Sequence, residues 1–204
     1  MNCLAVDTGG SHLTVLLIKD GEVHSRFLKD ASLKHSVTLL TEIENLLTSL
    51  NTPLNEIDVF CSVVGPGSFT GIRIGVSTIK ALAYSQNKKV LSVTSFTPLA
   101  YNSDNERVLA VINANHDNFY ACGFVNKKVE LPPRFITKEE VINLSKEYQI
   151  VSDVSLDIPH VKADLLKGFE KAVVNSLDLA TFDRESLIPL YVKKSQAEEE
   201  RNGK

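Results

Sequence analysis

Apolar positions along this chain follow two rhythms. Short dense runs at residues 2–6, 13–18 and 23–28, bounded by Asp, Gly and Ser clusters, predict three strands. Asp20-Gly21 between the second and third predicts a hairpin turn. From residue 36 to 50 the spacing becomes helical, with Leu39, Leu40, Ile43, Leu46, Leu47 and Leu50 on one stripe. The far face carries Thr38, Thr41, Asn45, Thr48 and Ser49, with Glu42 as its charge. So lightly charged a face suits contact with another protein as well as it suits water. A buried strand is then predicted at 58–64, a helix over 72–86 and a strand at 90–93, after which Ser95 caps a short helix reaching Ala100.

Residues 102–106 are polar and turn-like and mark a domain boundary, beyond which the pattern begins again. Strands are predicted at 108–112 and 119–125 around a turn at 113–117. A third, between Val129 and Phe135, is expected to be broken by Pro132-Pro133. Thr137-Lys138-Glu139-Glu140 reads as a capping box opening a helix to Glu147, followed by a strand at 149–151. Strand, strand, strand, helix, strand thus occurs twice, roughly a hundred residues apart, as a repeat of pattern and not of residue identity. Two lobes follow, residues 1–103 and a smaller, degenerate 104–204. The last third predicts a helix at 167–179, an extended piece at 188–192 and a charged, frayed terminus from 196.

Gly65-Pro66-Gly67-Ser68-Phe69-Thr70-Gly71-Ile72-Arg73-Ile74-Gly75 joins the fourth strand to the second long helix. Such a loop leaves unpaired N–H groups and the positive end of a helix dipole facing whatever sits there. Two familiar phosphate loops do not fit. No lysine follows Gly71, as a P-loop requires, and the sixth position of a dinucleotide fingerprint is Thr70. Gly75 in mid-helix costs roughly 1 kcal/mol relative to alanine. Gly71, Gly75, Thr78 and Leu82 form one face, Ile72, Val76, Ile79 and Ala83 its neighbour, and only Arg73, Ser77, Lys80 and Tyr84 a polar stripe. A helix so apolar is either covered on both sides by its own domain or meets another subunit. Arg73, in the first turn, opposes the helix dipole by roughly 0.3–1 kcal/mol. An anion is therefore expected beside it: a phosphate, a partner's carboxylate or an acid of the chain itself.

Composition narrows the function classes. With 204 residues, 43% hydrophobic and 23% charged, the chain is ordinary for a globular protein. A net charge of −3 gives no ground for strong direct binding of nucleic acid. Cys3, Cys61 and Cys122 fall in apolar strand-like runs, which reads as buried, reduced thiols in the cytoplasm. No basic region opens the chain and no apolar run approaches about 18 residues, so neither a signal peptide nor a membrane contact is expected. His12, His24, His35, His116 and His160 are too far apart in sequence to form a helical metal-binding pair.

The duplicated βββαβ unit, with Asp7-Thr8-Gly9-Gly10 after its first strand, resembles the actin-like ATPase superfamily. That is an α/β fold of two lobes, each a mixed sheet flanked by helices, closing on a nucleotide. The glycine loop and the opening Leu4-Ala5-Val6-Asp7-Thr8 are similar, more specifically, to the bacterial TsaB (YeaZ) family. His35 before the first helix and Pro189-Leu190-Tyr191-Val192-Lys193 extend the likeness, which is strong over the first lobe and patchy after it. The resemblance implies a non-catalytic relative of TsaD, the metal-dependent enzyme that transfers a threonylcarbamoyl group to the adenosine next to the anticodon of tRNA. It implies pairing with TsaD through the first two helices, with the ATPase TsaE joining them, and a homodimer when the chain is alone. Carried onto this sequence, the partner-facing residues are Leu39, Ile43, Leu46, Gly71, Ile72, Gly75, Val76, Thr78, Ile79 and Leu82. Asp7, Thr8, Gly9, Gly10, Gly67, Ser68 and Arg73 form a vestigial nucleotide or anion loop. No catalytic residue and no metal is implied, and ATP or ADP is expected only in the complex. Asp7 either aids a nucleotide-bound magnesium or terminates its strand; His35 is expected to pack or cap. Family members carry Asp-Ala-Arg at the turn opening the second half, where this chain has Asn113-Ala114-Asn115-His116. Losing both charges weakens nucleotide binding there.

Two other classes compete. Asp7-Thr8-Gly9-Gly10 also fits a small metabolite kinase or ATPase acting alone. A peptidase is the third, because the family has carried glycoprotease-like names, and the missing histidine pair argues against it.

Overall fold

The structure is a computed structural model, described for residues 1–31, 35–114 and 117–192. Its first sheet contains β1 (Cys3–Asp7), β2 (Leu13–Lys19), β3 (Glu22–Leu28), β4 (Val59–Val63) and β5 (Lys89–Val93), in the order β3-β2-β1-β4-β5. The first three are antiparallel, while β1, β4 and β5 run parallel through the crossover helices α1 (His35–Ser49) and α2 (Phe69–Gln86). After the short α3 (Phe96–Ala100) the second sheet takes β6 (Arg107–Asn113), β7 (Asn118–Val125), β8 (Lys128–Thr137), β9 (Gln149–Ser152) and β10 (Val161–Lys162), with α4 (Lys138–Leu144) between β8 and β9. Its order, β8-β7-β6-β9-β10 from one edge, repeats the first sheet strand for strand. The twice-used βββαβ unit expected from the sequence pattern is present.

Local chemistry explains most boundaries. Asp20 and Gly21 take φ of 51° and 85°, and a turn with two left-handed residues matches the twist of β2 and β3. Thr137 accepts a hydrogen bond from Glu140 N at 3.3 Å while the Glu140 carboxylate accepts from Thr137 N at 2.9 Å, the reciprocal capping box. α4 then ends at Leu144, short of the expected Glu147. The expected helix at 167–179 starts earlier, at Leu165, because Asp164 caps it by accepting from Lys167 N at 3.0 Å. This α5 (Leu165–Val174) stops before a separate 3₁₀ turn at Leu177–Leu179. The 188–192 piece joins no sheet, and the expected frayed terminus from 196 lies outside the described residues, as do Lys193, Asn115 and His116.

Pro132-Pro133 does not break β8. Ala121 pairs with Arg134 and Gly123 with Leu131, so both prolines sit opposite Cys122 in a bulge. β8 is an edge strand, where a missing N–H leaves no ladder bond unmade.

Packing arranges these elements in five layers. On β1, Leu4 and Val6 face the core under α1 and α2, while Cys3 and Ala5 face the core under α5. Both faces are buried, which is why the run reads as continuously apolar. α3 lies against the near face of the second sheet and α4 against its far face. The order is therefore α1 and α2, first sheet, α5 with α3, second sheet, α4. Leu165 and Val192 pack beside α3 and the second sheet, but most of the segment between them, expected with the second lobe, returns to the first. Phe169, Ala172 and Val173 pack on its sheet, Thr181 bridges Val90, and Leu187 and Leu190 join the core beneath α2.

Candidate functional site

Both predicted loops meet at the end of β1. Thr8 Oγ1 donates to Gly71 O at 2.7 Å, and Ser68 N donates to Gly9 O at 2.7 Å. α2 is capped from within, since Ser68 Oγ accepts from Gly71 N at 3.2 Å. Three glycines make this seat. A Cβ at Gly67 would lie 2.3 Å from Gly9 O, one at Gly71 2.1 Å from Thr8 O, and one at Gly75 2.4 Å from Thr8 Oγ1. No side chain fits there. Gly71 and Gly75 therefore face the β1 turn and not a partner, a correction to their expected place.

The Asp7 carboxylate is engaged on both oxygens. It accepts from Gly9 N at 2.8 Å and bonds His12 Nε2 at 3.1 Å, with the His12 ring stacked on Phe27 at 5.4 Å between centroids. Asp7 ends its strand and is 8% exposed. The cavity here, about 70 Å³ between the lobes, is lined by Asp7, Gly9, Gly10, His12, Gly67 and Asp153 among others. Small-molecule sites occupy roughly 300–1,000 Å³, so this cavity is smaller than a typical nucleotide site. Among the described residues, no group of three or more His, Cys, Asp or Glu side chains is arranged to hold a metal ion. His35 is buried at the start of α1; its Nε2 donates to His12 O at 3.0 Å, and Nδ1 has no hydrogen-bond partner.

Among the described residues no carboxylate pairs with Arg73. Its guanidinium instead sits 3.6 Å from the centre of the Phe69 ring, and its Nε donates to Tyr191 Oη at 2.9 Å. The negative face of the neutral ring attracts the guanidinium where an anion had been expected. Phe69 and Tyr191 are about half exposed, 49% and 48%, so this stack forms part of the surface beside α2.

The outer faces of α1 and α2 lie on the side of the first sheet away from the second lobe. Most residues expected to face a partner turn inward: Leu39, Ile43, Leu46, Gly71, Ile72, Gly75, Val76 and Ile79 are buried. Each belongs to the stripe whose burial holds its helix on the sheet, so an apolar stripe marked the core before it marked an interface. Thr78 and Leu82 are half-buried. Leu40, expected on the buried stripe, is 58% exposed, and Val37 is 76% exposed. With Thr41, Glu44 and Thr48 they form a continuous outward stripe, one residue richer in charge than expected because Glu44 belongs to it. A groove of about 600 Å³ runs beside this stripe, lined by Leu40, Glu44, Leu47, Thr48, Pro53 and Leu82 among others.

Comparison with known proteins places the chain. It is 32% identical over 124 residues to the Escherichia coli tRNA threonylcarbamoyladenosine biosynthesis protein TsaB, covering 59% of this chain and 53% of that protein. It is 31% identical over 102 residues to the Bacillus subtilis protein of the same name, covering 50% and 44%. A Pseudomonas aeruginosa protein of known structure, described as similar to peptidase YEAZ, superposes with a TM-score of 0.73 at 25% identity over 94% of this chain and 99% of that one. A family model described as TsaD, tRNA N6-adenosine threonylcarbamoyltransferase, matches residues 29–200. The chain belongs to the TsaD-type family, in its TsaB (YeaZ) branch. The duplicated α/β architecture is accordingly the actin-like ATPase fold, and relatives in the TsaB branch are named for tRNA threonylcarbamoyladenosine biosynthesis. The chain spans about half the length of the curated TsaB relatives it matches.

Within the TsaB frame, sequence reasoning brought together the Asp7 turn and the glycine loop but missed what fills the cleft. His12 and Asp153 are 141 positions apart and share no motif. The outward stripe was also missed, although Val37, Leu40, Thr41, Glu44 and Thr48 do carry a helical spacing that could have revealed it.

Proposed function

We propose that the chain is a non-catalytic subunit that docks through the outer faces of α1 and α2 onto a TsaD-type catalytic paralogue. With an ATPase of the TsaE kind, that pair carries out threonylcarbamoylation of the adenosine next to the anticodon in tRNA. One observation carries the reading: two adjacent helices, seated by glycines on their own sheet, leave outward an apolar groove and an exposed Val37–Leu40 patch that the second lobe does not cover. Two further features support it. The interlobe cavity is smaller than a typical nucleotide site, and the Asp7 carboxylate is already satisfied by backbone and histidine. ATP or ADP then enters only with the assembled complex, and the same helices pair two copies of the chain when no paralogue is present.

The test is binding and reconstitution. Purified chain and paralogue are mixed at micromolar concentration, complex formation is followed by light scattering, and modified tRNA is measured with and without the ATPase. The reading expects a heteromeric complex, loss of both complex and modified tRNA with Leu40→Asp, and no turnover by the chain alone. ATP hydrolysis by the isolated chain on a small hydroxyl or carboxylate substrate would establish the kinase alternative instead.

A further inference from the structure

Across the lobe interface a third ionisable group, Asp153, lines the same cleft as the Asp7–His12 pair, though among the described residues it makes no ion pair within 4 Å. It follows β9 in the second lobe, whereas Asp7 and His12 belong to the turn after β1 in the first. Asp7 and His12 are each 8% exposed and Asp153 is half-buried. Two carboxylates lining one small, poorly solvated cleft repel one another unless a positive charge lies near both. The other residues lining the cavity from the glycine loop, α3, β6 and α5 are Gly9, Gly10, Pro66, Gly67, Ser95, Pro98, Leu99, Ile112 and Leu165, none of them charged, and β3 contributes only the Phe27 ring. From α1 the buried His35 reaches only the His12 carbonyl, and among the described residues that line the cavity His12 alone can carry a positive charge.

We infer that Asp7, His12 and Asp153 form an ionic latch between the two lobes, closed while His12 carries its second proton and released when that proton leaves. The bond at 3.1 Å does not need the second proton, because a neutral imidazole with hydrogen on Nε2 still donates to Asp7. What the proton adds is charge. Without it Asp7 and Asp153 face each other uncompensated, and the cheapest relief is water entering as the lobes part. The balance on His12 agrees with this. Burial, the largest influence, disfavours its charge, but the Asp7 hydrogen bond and the charges of Asp7 and Asp153 outweigh it and raise its pKa. Asp153 is raised chiefly by its burial, with Asp7 adding to the rise and His12 opposing it. The sign follows. A histidine whose folded pKa is raised contributes its stabilisation in full below the ordinary value near 6.5 and loses it as pH rises through the raised one. The latch therefore opens as pH rises beyond the ordinary histidine range.

The full chain is titrated by NMR, following the imidazole C2–H resonances, with His12 assigned from His12→Gln. In parallel, amide exchange corrected for intrinsic rates is measured on the 150–163 segment at pH 6 and pH 9. The wild type should show a His12 midpoint above that of a free histidine, and Asp153→Asn should lower it. Each unit of that elevation should appear as about a tenfold loss of protection between the two pH values. In His12→Gln the protection should be low and independent of pH. A His12 midpoint at or below the free value, one that Asp153→Asn leaves unmoved, or an undiminished pH dependence in His12→Gln would each overturn the latch. Should His12→Gln not fold, Asp153→Asn decides alone, because a structural role for that carboxylate would not move a proton on another lobe.

Discussion

Replacing Gly71 by alanine distinguishes an inward from an outward role for the small residues of α2. The new Cβ would lie 2.1 Å from the Thr8 carbonyl oxygen and 3.2 Å from His35 Nδ1, whereas ordinary contact begins near 3.4 Å, so α2 would have to retreat by about an ångström. Retreat stretches the 2.7 Å bond from Thr8 Oγ1 to Gly71 O, whose partners are buried. Overpacking of this kind costs roughly 1–3 kcal/mol, here toward the upper end because the opposing atom is backbone. Losing the buried hydrogen bond adds about 1 kcal/mol. Against both stands a gain of roughly 1 kcal/mol from replacing glycine in a helix. The net expectation is destabilisation by about 2–3 kcal/mol, a fall in Tm of roughly 4–12 °C for a chain of this size. Urea denaturation followed by circular dichroism measures it, with Ser77→Ala on the exposed face as a control that stays within about 0.5 kcal/mol of wild type. If Gly71→Ala matched or exceeded the wild type in stability, the helix would not be seated on the Thr8 turn and the glycines would have to serve an external surface.

Other outcomes are expected on the same grounds. Leu39→Asp places an unpaired charge in the core and should prevent folding, while Leu40→Asp, one residue on, should leave the denaturation midpoint nearly unchanged and weaken binding to the paralogue at least tenfold. Arg73→Ala loses its stack on Phe69 but also removes a cation from the helix N-terminus, so stability should change little. A double-mutant cycle with Phe69→Leu should show a coupling energy of about 0.5–1 kcal/mol. Burial pushes the Cys3 and Cys122 thiols up to about 12 and raises Cys61 as well, so an alkylating reagent at pH 8 should label no cysteine in the native chain and all three in guanidinium.

Legibility in the sequence followed how local each determinant is. Strands buried on both faces were visible because every residue from Cys3 to Val6 is apolar, and the α4 capping box because its two members are three residues apart. The oddness of α2 was visible too, as glycine inside a helix, but its direction was not. Whether Gly71 and Gly75 point to a sheet or to solvent depends on a threonine more than sixty positions earlier. Pro132-Pro133 misled because local propensity forbids a central strand, and nothing nearby announces that β8 lies at an edge opposite a bulge. Arg73 was expected beside an anion, but among the described residues it stacks on Phe69, one turn away, and donates to Tyr191 from the far end, which the motif did not reveal. A helix near α5 was predicted, but not which of the two sheets would receive it.

That last assignment bears on how the protein is made. Since Phe169, Ala172 and Val173 roof one face of the earliest-synthesised sheet, and Thr181 borders its last strand, the ribosome must release nearly the whole described chain before this half can close. Cys3, Leu16, Val59 and Leu91 meanwhile wait as an open apolar wall on the nascent polypeptide. The far face of the later-made sheet closes with α4 and residues no later than Ile158, and that side of the second half is therefore free to mature first.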